Sequence, residues 1–100
     1  MVYTEADIRR AALKELVAAP GCTLTTSKLI EKLTLRLGPT GRDAEIAYGR
    51  SDTYFSQKVR NLVSHRNQGT GLQARGLADY DSQRESWTLT RLGRSVAAQI

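Results

Sequence analysis

Between Thr53 and Arg66 the chain spaces amides, hydroxyls and cations so that a helix would bring them to one side. Turning about 100° per residue, with the apolar side set by Phe55, Val59, Leu62 and Val63, the opposite side holds Thr53, Gln57, Arg60, Asn61 and Ser64. Tyr54, Lys58 and His65 lie on its flank, and Arg66 stands at the exit. An amide offers a donor and an acceptor side by side and pairs with an adenine edge, an arginine fork matches guanine, and a hydroxyl serves phosphate or base. Solvation alone also asks for a polar outer side. An ordinary exposed helix, however, mixes signs so that residues four apart attract, and this face has cations and amides without an acid.

The residue sets of catalysis are missing from the sequence. It has no Gly-x-x-x-x-Gly-Lys loop and no Ser/His/Asp trio. His65 is the only imidazole, and a lone His without a carboxylate or Cys partner in sequence reads as a surface residue, with phosphate contact as its one role. Cys22 stands alone, so it closes no internal disulfide, and one Cys with one His cannot assemble a four-ligand zinc site. No catalytic residue, metal, cofactor or small-molecule substrate is expected.

The charge distribution points the same way as the helix face. Residues 1–53 carry 8 basic and 7 acidic groups, whereas residues 54–100 carry 7 and 3, so the excess of cations lies in the second half. Tyr54 to Ala78 holds Lys58, Arg60, Arg66 and Arg75 and no acid, the pattern of a surface that meets a polyanion. A solvated basic face fits the charge count equally well. No apolar stretch approaches the roughly 20 residues needed to span a bilayer, and Glu5, Asp7, Arg9 and Arg10 stand where a signal peptide would be apolar. The cytoplasm, or the nucleoid, is the expected location.

The elements that must position these groups follow from capping and periodicity. Thr4 and Asp7 cap a first helix to Ala19 with Ile8, Ala12 and Leu16 on its apolar stripe, and Pro20-Gly21 ends it. Cys22-Thr23-Leu24 is too short for more than a single-bridge strand. Thr25, Thr26 and Ser27 supply the cap of a second helix bearing Leu29, Ile30, Leu33 and Leu37, closed by Gly38-Pro39. Gly38 to Ser51 reads as a long loop with one helical turn near Asp43 to Ala47, and such length signals function or disorder. Ser51 or Asp52 caps the third helix, which runs from about Asp52 to Arg66. A turn from Leu72 to Leu77 closes on Gly76, Leu77–Tyr80 and Ser86–Leu89 alternate as strands around a polar tip at Asp81–Glu85, and Thr90 caps a final helix with Leu92, Val96 and Ile100. Phe55 and Trp87 take inward positions and read as core, whereas Tyr54 and Tyr80 can hydrogen-bond phosphate. Leu13, Val17 and Leu35 fall outside the main stripes, which suits either extra core depth or a homodimer contact.

Three helices, a two-stranded hairpin and a closing helix give a mostly helical α+β chain, with residues 1–100 as one domain. From Phe55 to Val96 the chain resembles the small winged helix-turn-helix domains that precede the nuclease domains of Mrr-type restriction endonucleases, and more loosely MarR-like regulators. The resemblance rests on the aromatic-led helix Phe55–Val63, on Leu72-x-x-x-Gly76-Leu77, on a hairpin ending Trp87-Thr88-Leu89-Thr90, and on Gly93-Arg94. The long Gly38–Ser51 loop and the Asn67–Gly71 insertion depart from that pattern. The resemblance implies binding of double-stranded DNA, with the third helix in the major groove, the 80–86 hairpin as a wing and Arg84 at its tip. Asp81 and Glu85 oppose a tip contact. The Glu-x-Lys pattern of the associated nucleases is absent, so the resemblance points to the reading half of such a system, as a transcriptional regulator or as part of a restriction-type protein. The alternative is a winged-helix interaction domain whose basic surface meets an acidic protein.

Overall fold

A computed structural model describes residues 3–45 and 53–100. The caps read at Ser51 and Asp52, and Ile46 and Tyr48 in the long loop, lie outside the described residues.

The capping hydroxyls set the helix starts. Thr4 accepts from Asp7 N–H at 3.1 Å and donates its own N–H to the Asp7 carboxylate at 2.9 Å, opening α1 (Glu5–Ala18). Thr25 accepts from Lys28 N–H at 3.2 Å and opens α2 (Thr26–Leu37), which ends at Gly38 in the left-handed region. The third helix, α3, is Tyr54–Ser64. Its cap is Thr53 in place of Ser51 or Asp52, because Thr53 Oγ1 accepts from Ser56 N–H at 3.1 Å while Ser56 Oγ accepts from Thr53 N–H at 3.2 Å. It stops two residues short of the expected Arg66, with His65 as the C-cap. Thr90 caps α4 (Arg91–Ala97) through Gly93 N–H. The turn in the long loop is a short 3-10 segment at Gly41–Ala44, earlier than the sequence reading placed it.

The sheet has three antiparallel strands instead of two. Between α1 and α2, β1 (Thr23–Thr25) pairs with β3 (Ser86–Leu89), whose other edge carries β2 (Ala78–Asp81). The pairing of β1 is longer than a single bridge: Thr23, Leu24 and Thr25 face Thr88, Trp87 and Ser86. Leu24 turns inward while Thr23 and Thr25 face solvent, and the Thr23 and Thr88 hydroxyls meet at 2.9 Å across the pair. Three residues are too few to display a period of two, which is why the sequence alone undercounts this strand.

One core serves all seven elements. Ile8, Ala12 and Leu16 of α1, Leu29 and Leu33 of α2, Phe55 and Val59 of α3, and Trp87 of β3 are fully buried. Leu13 is buried as well, so its off-stripe position adds core depth and leaves no surface for a partner; Val17 and Leu35 remain exposed. Leu77 N–H donates to Leu72 O at 2.9 Å across the turn closed by Gly76, whose φ is +70°, so both leucines reach the core. At Gly93 a Cβ would lie 1.8 Å from Leu77 O, so only glycine lets α4 approach the start of β2. Among the described residues no helix is long and apolar enough to cross a membrane.

Candidate functional site

The α3 face divides into groups that fasten the fold and groups that face solvent. Arg60 and Ser64 are exposed, with Gln57 and Asn61 half-buried beside them. Tyr54 is also half-buried. Thr53 serves as the cap, its hydroxyl already held by Ser56 N–H and by Ser56 Oγ at 2.7 Å, and so it is engaged within the helix end.

Lys58, on the flank of that face, reaches into a buried node. Its ammonium lies 2.6 Å from Asp43 Oδ1 and donates to Tyr3 O at 2.9 Å, and Tyr3 N–H completes the set by donating to Asp43 Oδ2 at 2.7 Å. Asp43 is fully buried and Lys58 keeps 29 % of its side chain exposed. Burial pushes the Asp43 carboxyl up, but the Lys58 hydrogen bond, the Tyr3 N–H and the Lys58 charge outweigh it and hold the group below the ordinary carboxylate range. A duplex contact by Lys58 would strip Asp43 of its main counter-charge, so Lys58 is a fastener of α3 to the 3-10 turn. Tyr3 also donates its hydroxyl to Leu37 O and stands edge-on to Phe55 at 6.1 Å.

His65 and Arg66 are engaged in the same manner. His65 Nδ1 lies 2.6 Å from Glu5 Oε1, tying the end of α3 to the first turn of α1; the partner that the sequence left out stands 60 residues away. Arg66 donates from Nη1 to Val63 O at 2.7 Å, and its guanidinium carbon sits 5.2 Å from the Tyr80 ring centroid, a cation–π contact. Gln73 accepts from Tyr80 N–H and donates to Asn67, both at 3.0 Å, so the exit of α3 is latched to β2.

The hairpin tip is short and anchored. Asp81 accepts from the N–H groups of Gln83 and Arg84 at 2.9 and 3.2 Å, and Glu85 holds a φ of +50°. The Glu85 carbonyl accepts both the N–H and the hydroxyl of Thr26, at 2.8 and 3.2 Å, which clamps the tip against the start of α2. Arg84 projects with 85 % of its side chain exposed and its Nε 4.0 Å from Asp81.

These elements enclose a polar groove of about 210 Å³ between α3 and the sheet. Arg60, Val63 and Ser64 form one wall, Thr26 and Ser27 of α2 the floor, and Tyr80 and Glu85 the other wall. Thr26 and Ser27 stand out in the sequence only as capping candidates; their placement beside α3 exists only in three dimensions. Among the described residues no group of three His, Cys, Asp or Glu side chains could hold a metal ion. The chain matches no protein-family model, no curated protein and no solved structure.

Proposed function

We propose that the chain is a winged-helix module that binds double-stranded DNA, inserting α3 into the major groove with the β2–β3 hairpin alongside. The observation that carries the reading is the solvent side of α3, where Gln57, Arg60, Asn61 and Ser64 stand together without an acid and beside an open groove. An α-helix fits the major groove, and these side chains are the types that read base edges or hold phosphate there. The order of three helices, a hairpin and a closing helix supports the same reading. The clamp between Glu85 and Thr26 fixes the hairpin relative to α2, and Arg66 over the Tyr80 ring ties the exit of α3 to the same hairpin, as a two-element contact on a rigid duplex requires.

The contact set is narrower than the full polar face. Arg60 and Arg84 carry the charge, Ser64 and Ser27 supply hydroxyls, and Gln57 and Asn61 supply amides, whereas Thr53, Lys58, His65 and Arg66 hold α3 in place. Tyr54 stays on the flank of the set. The module reads and does not catalyse, in a regulator or in a restriction-type protein. Competition of variants between a selected site and random duplex tests the amides. Gln57→Ala and Asn61→Ala should each lose about 1–3 kcal/mol of preference for the selected site and keep random-duplex binding; unchanged preference in both would remove base reading by α3.

The engagement of Lys58 by Asp43 favours a second reading, a surface for an acidic protein partner, since it lowers the number of cations available to a duplex. Such a partner would bind through Arg60 and Arg84 and leave duplex affinity negligible at every salt concentration.

A further inference from the structure

We propose that the cleft between α1 and the end of α2 is a binding site for a small organic anion with a single-ring apolar body. The cavity measures about 290 Å³, at the small end of the range for ligand sites. It is independent of the duplex reading, since none of its lining residues belongs to the α3 face. Tyr3, Ala11 and Leu37 give it an apolar lining, while Arg10 and Lys14 of α1 and Arg36 of α2 supply three cations.

The lining sets three cations against the one carboxylate of Asp7, on which the Arg10 charge already acts. Arg10 and Lys14 stand four residues apart on one helix, where like charges repel, and neither makes a hydrogen bond or ion pair among the described residues. Arg36 is held from the other helix by Glu15, 2.5 Å from its Nε, which presets that guanidinium at the cleft. Asp7 is the single acid of the lining, and its carboxylate already accepts Thr4 N–H in the cap of α1. Tyr3 is pinned at both ends, by its N–H to Asp43 and its hydroxyl to Leu37 O, so the aromatic wall of the cleft is held in place before any ligand arrives. A carboxylate with a ring behind it would set its charge against Arg10 and Lys14, beside the Glu15-paired Arg36, and its body against Tyr3 and Leu37.

Benzoate is the probe, with the isosteric neutral amide benzamide as its control, both read by amide chemical shifts of the isotope-labelled chain. Saturable benzoate shifts should centre on Ala11 and Leu37, with a dissociation constant on the order of 1 mM or below. The pair Arg10→Gln and Lys14→Gln should weaken binding by about tenfold or more, Lys14→Arg should retain it, and Lys32→Gln, outside the cleft, should leave it unchanged. Unperturbed melting of these surface variants keeps the comparison one of binding. Absent shifts, shifts spread over all basic residues, equal shifts with benzamide, or full binding in the double glutamine variant would each overturn the site.

Discussion

Lys58 and Arg60 sit two residues apart on α3 in different surroundings, Lys58 half-buried against Asp43 and Arg60 exposed, which makes them an informative pair of side chains. Lys58→Ala leaves the buried Asp43 carboxylate without its main partner and should cost about 3 kcal/mol, toward the low end for breaking a buried pair because Lys58 is partly solvated. Arg60→Ala should cost clearly less, about 1 kcal/mol at most, since Arg60 is exposed and an exposed charge contact contributes little. Denaturant unfolding of the two variants checks this, and equal stabilities would return Lys58 to the surface. The same node sets an acid limb. Because the folded Asp43 carboxyl titrates below its ordinary value, its contribution is complete above the unfolded Asp value of about 3.9. That contribution is lost as pH falls through the depressed folded value. Unfolding at a series of acidic pH values should therefore show a steeper loss in the parent than in Asp43→Asn, and parallel curves would contradict the pairing. Trp87 offers a separate test: its ring is fully buried, yet Nε1 has no hydrogen-bond partner among the described residues. Trp87→Ala should cost about 3–5 kcal/mol, and Trp87→Phe distinctly less, because it removes an unpaired buried donor together with some volume. Equal losses in thermal unfolding would mean that the indole N–H is satisfied.

At the scale of elements, the parts legible in the sequence were those with a local signature. Thr4, Thr25 and Thr90 opened helices as their hydroxyls suggest, and Leu72, Gly76 and Leu77 formed the turn that starts the hairpin. The parts that were not legible depend on distant partners. Asp43 and Tyr3 face Lys58 across 15 and 55 residues, and Glu5 faces His65 across 60; the flank position of Lys58 is therefore one that the start of the chain and the 3-10 turn cover. The strand β1 reads as no more than a single bridge from the sequence, because the partner that extends it, β3, lies about sixty residues on. Gly93 joins both kinds, visible as Gly93-Arg94 in the sequence but explained only by the 1.8 Å approach of a would-be Cβ to Leu77 O. Gly93→Ala forces α4 off the sheet and should destabilise by about 1–3 kcal/mol or more despite the better helix propensity of alanine. A melting temperature at or above that of the parent would show that α4 can shift without loss.

Taken as a whole, the molecule fastens one helix from three sides and leaves its fourth side to solvent. Asp43 and Tyr3 hold α3 near its middle, Glu5 holds its end through His65, and Tyr80 holds the following Arg66, while Arg60 and Ser64 stay exposed over the groove. A helix so positioned suits recognition of a rigid partner, since little side-chain and backbone ordering remains for the moment of binding. The proposed duplex contact has Arg60 and Arg84 as its principal cations, and a contact of that kind would have a small electrostatic footprint. The salt dependence should be correspondingly shallow, about 0.9 in logarithmic slope for each phosphate neutralised. The most direct test is the affinity of the parent, Arg60→Ala and Arg84→Ala for random duplex across a salt series. The account predicts a linear loss of affinity with log salt in the parent and a slope smaller by about one unit in Arg60→Ala. Binding that is absent at low salt, or a slope unchanged by Arg60→Ala, would contradict duplex recognition by α3.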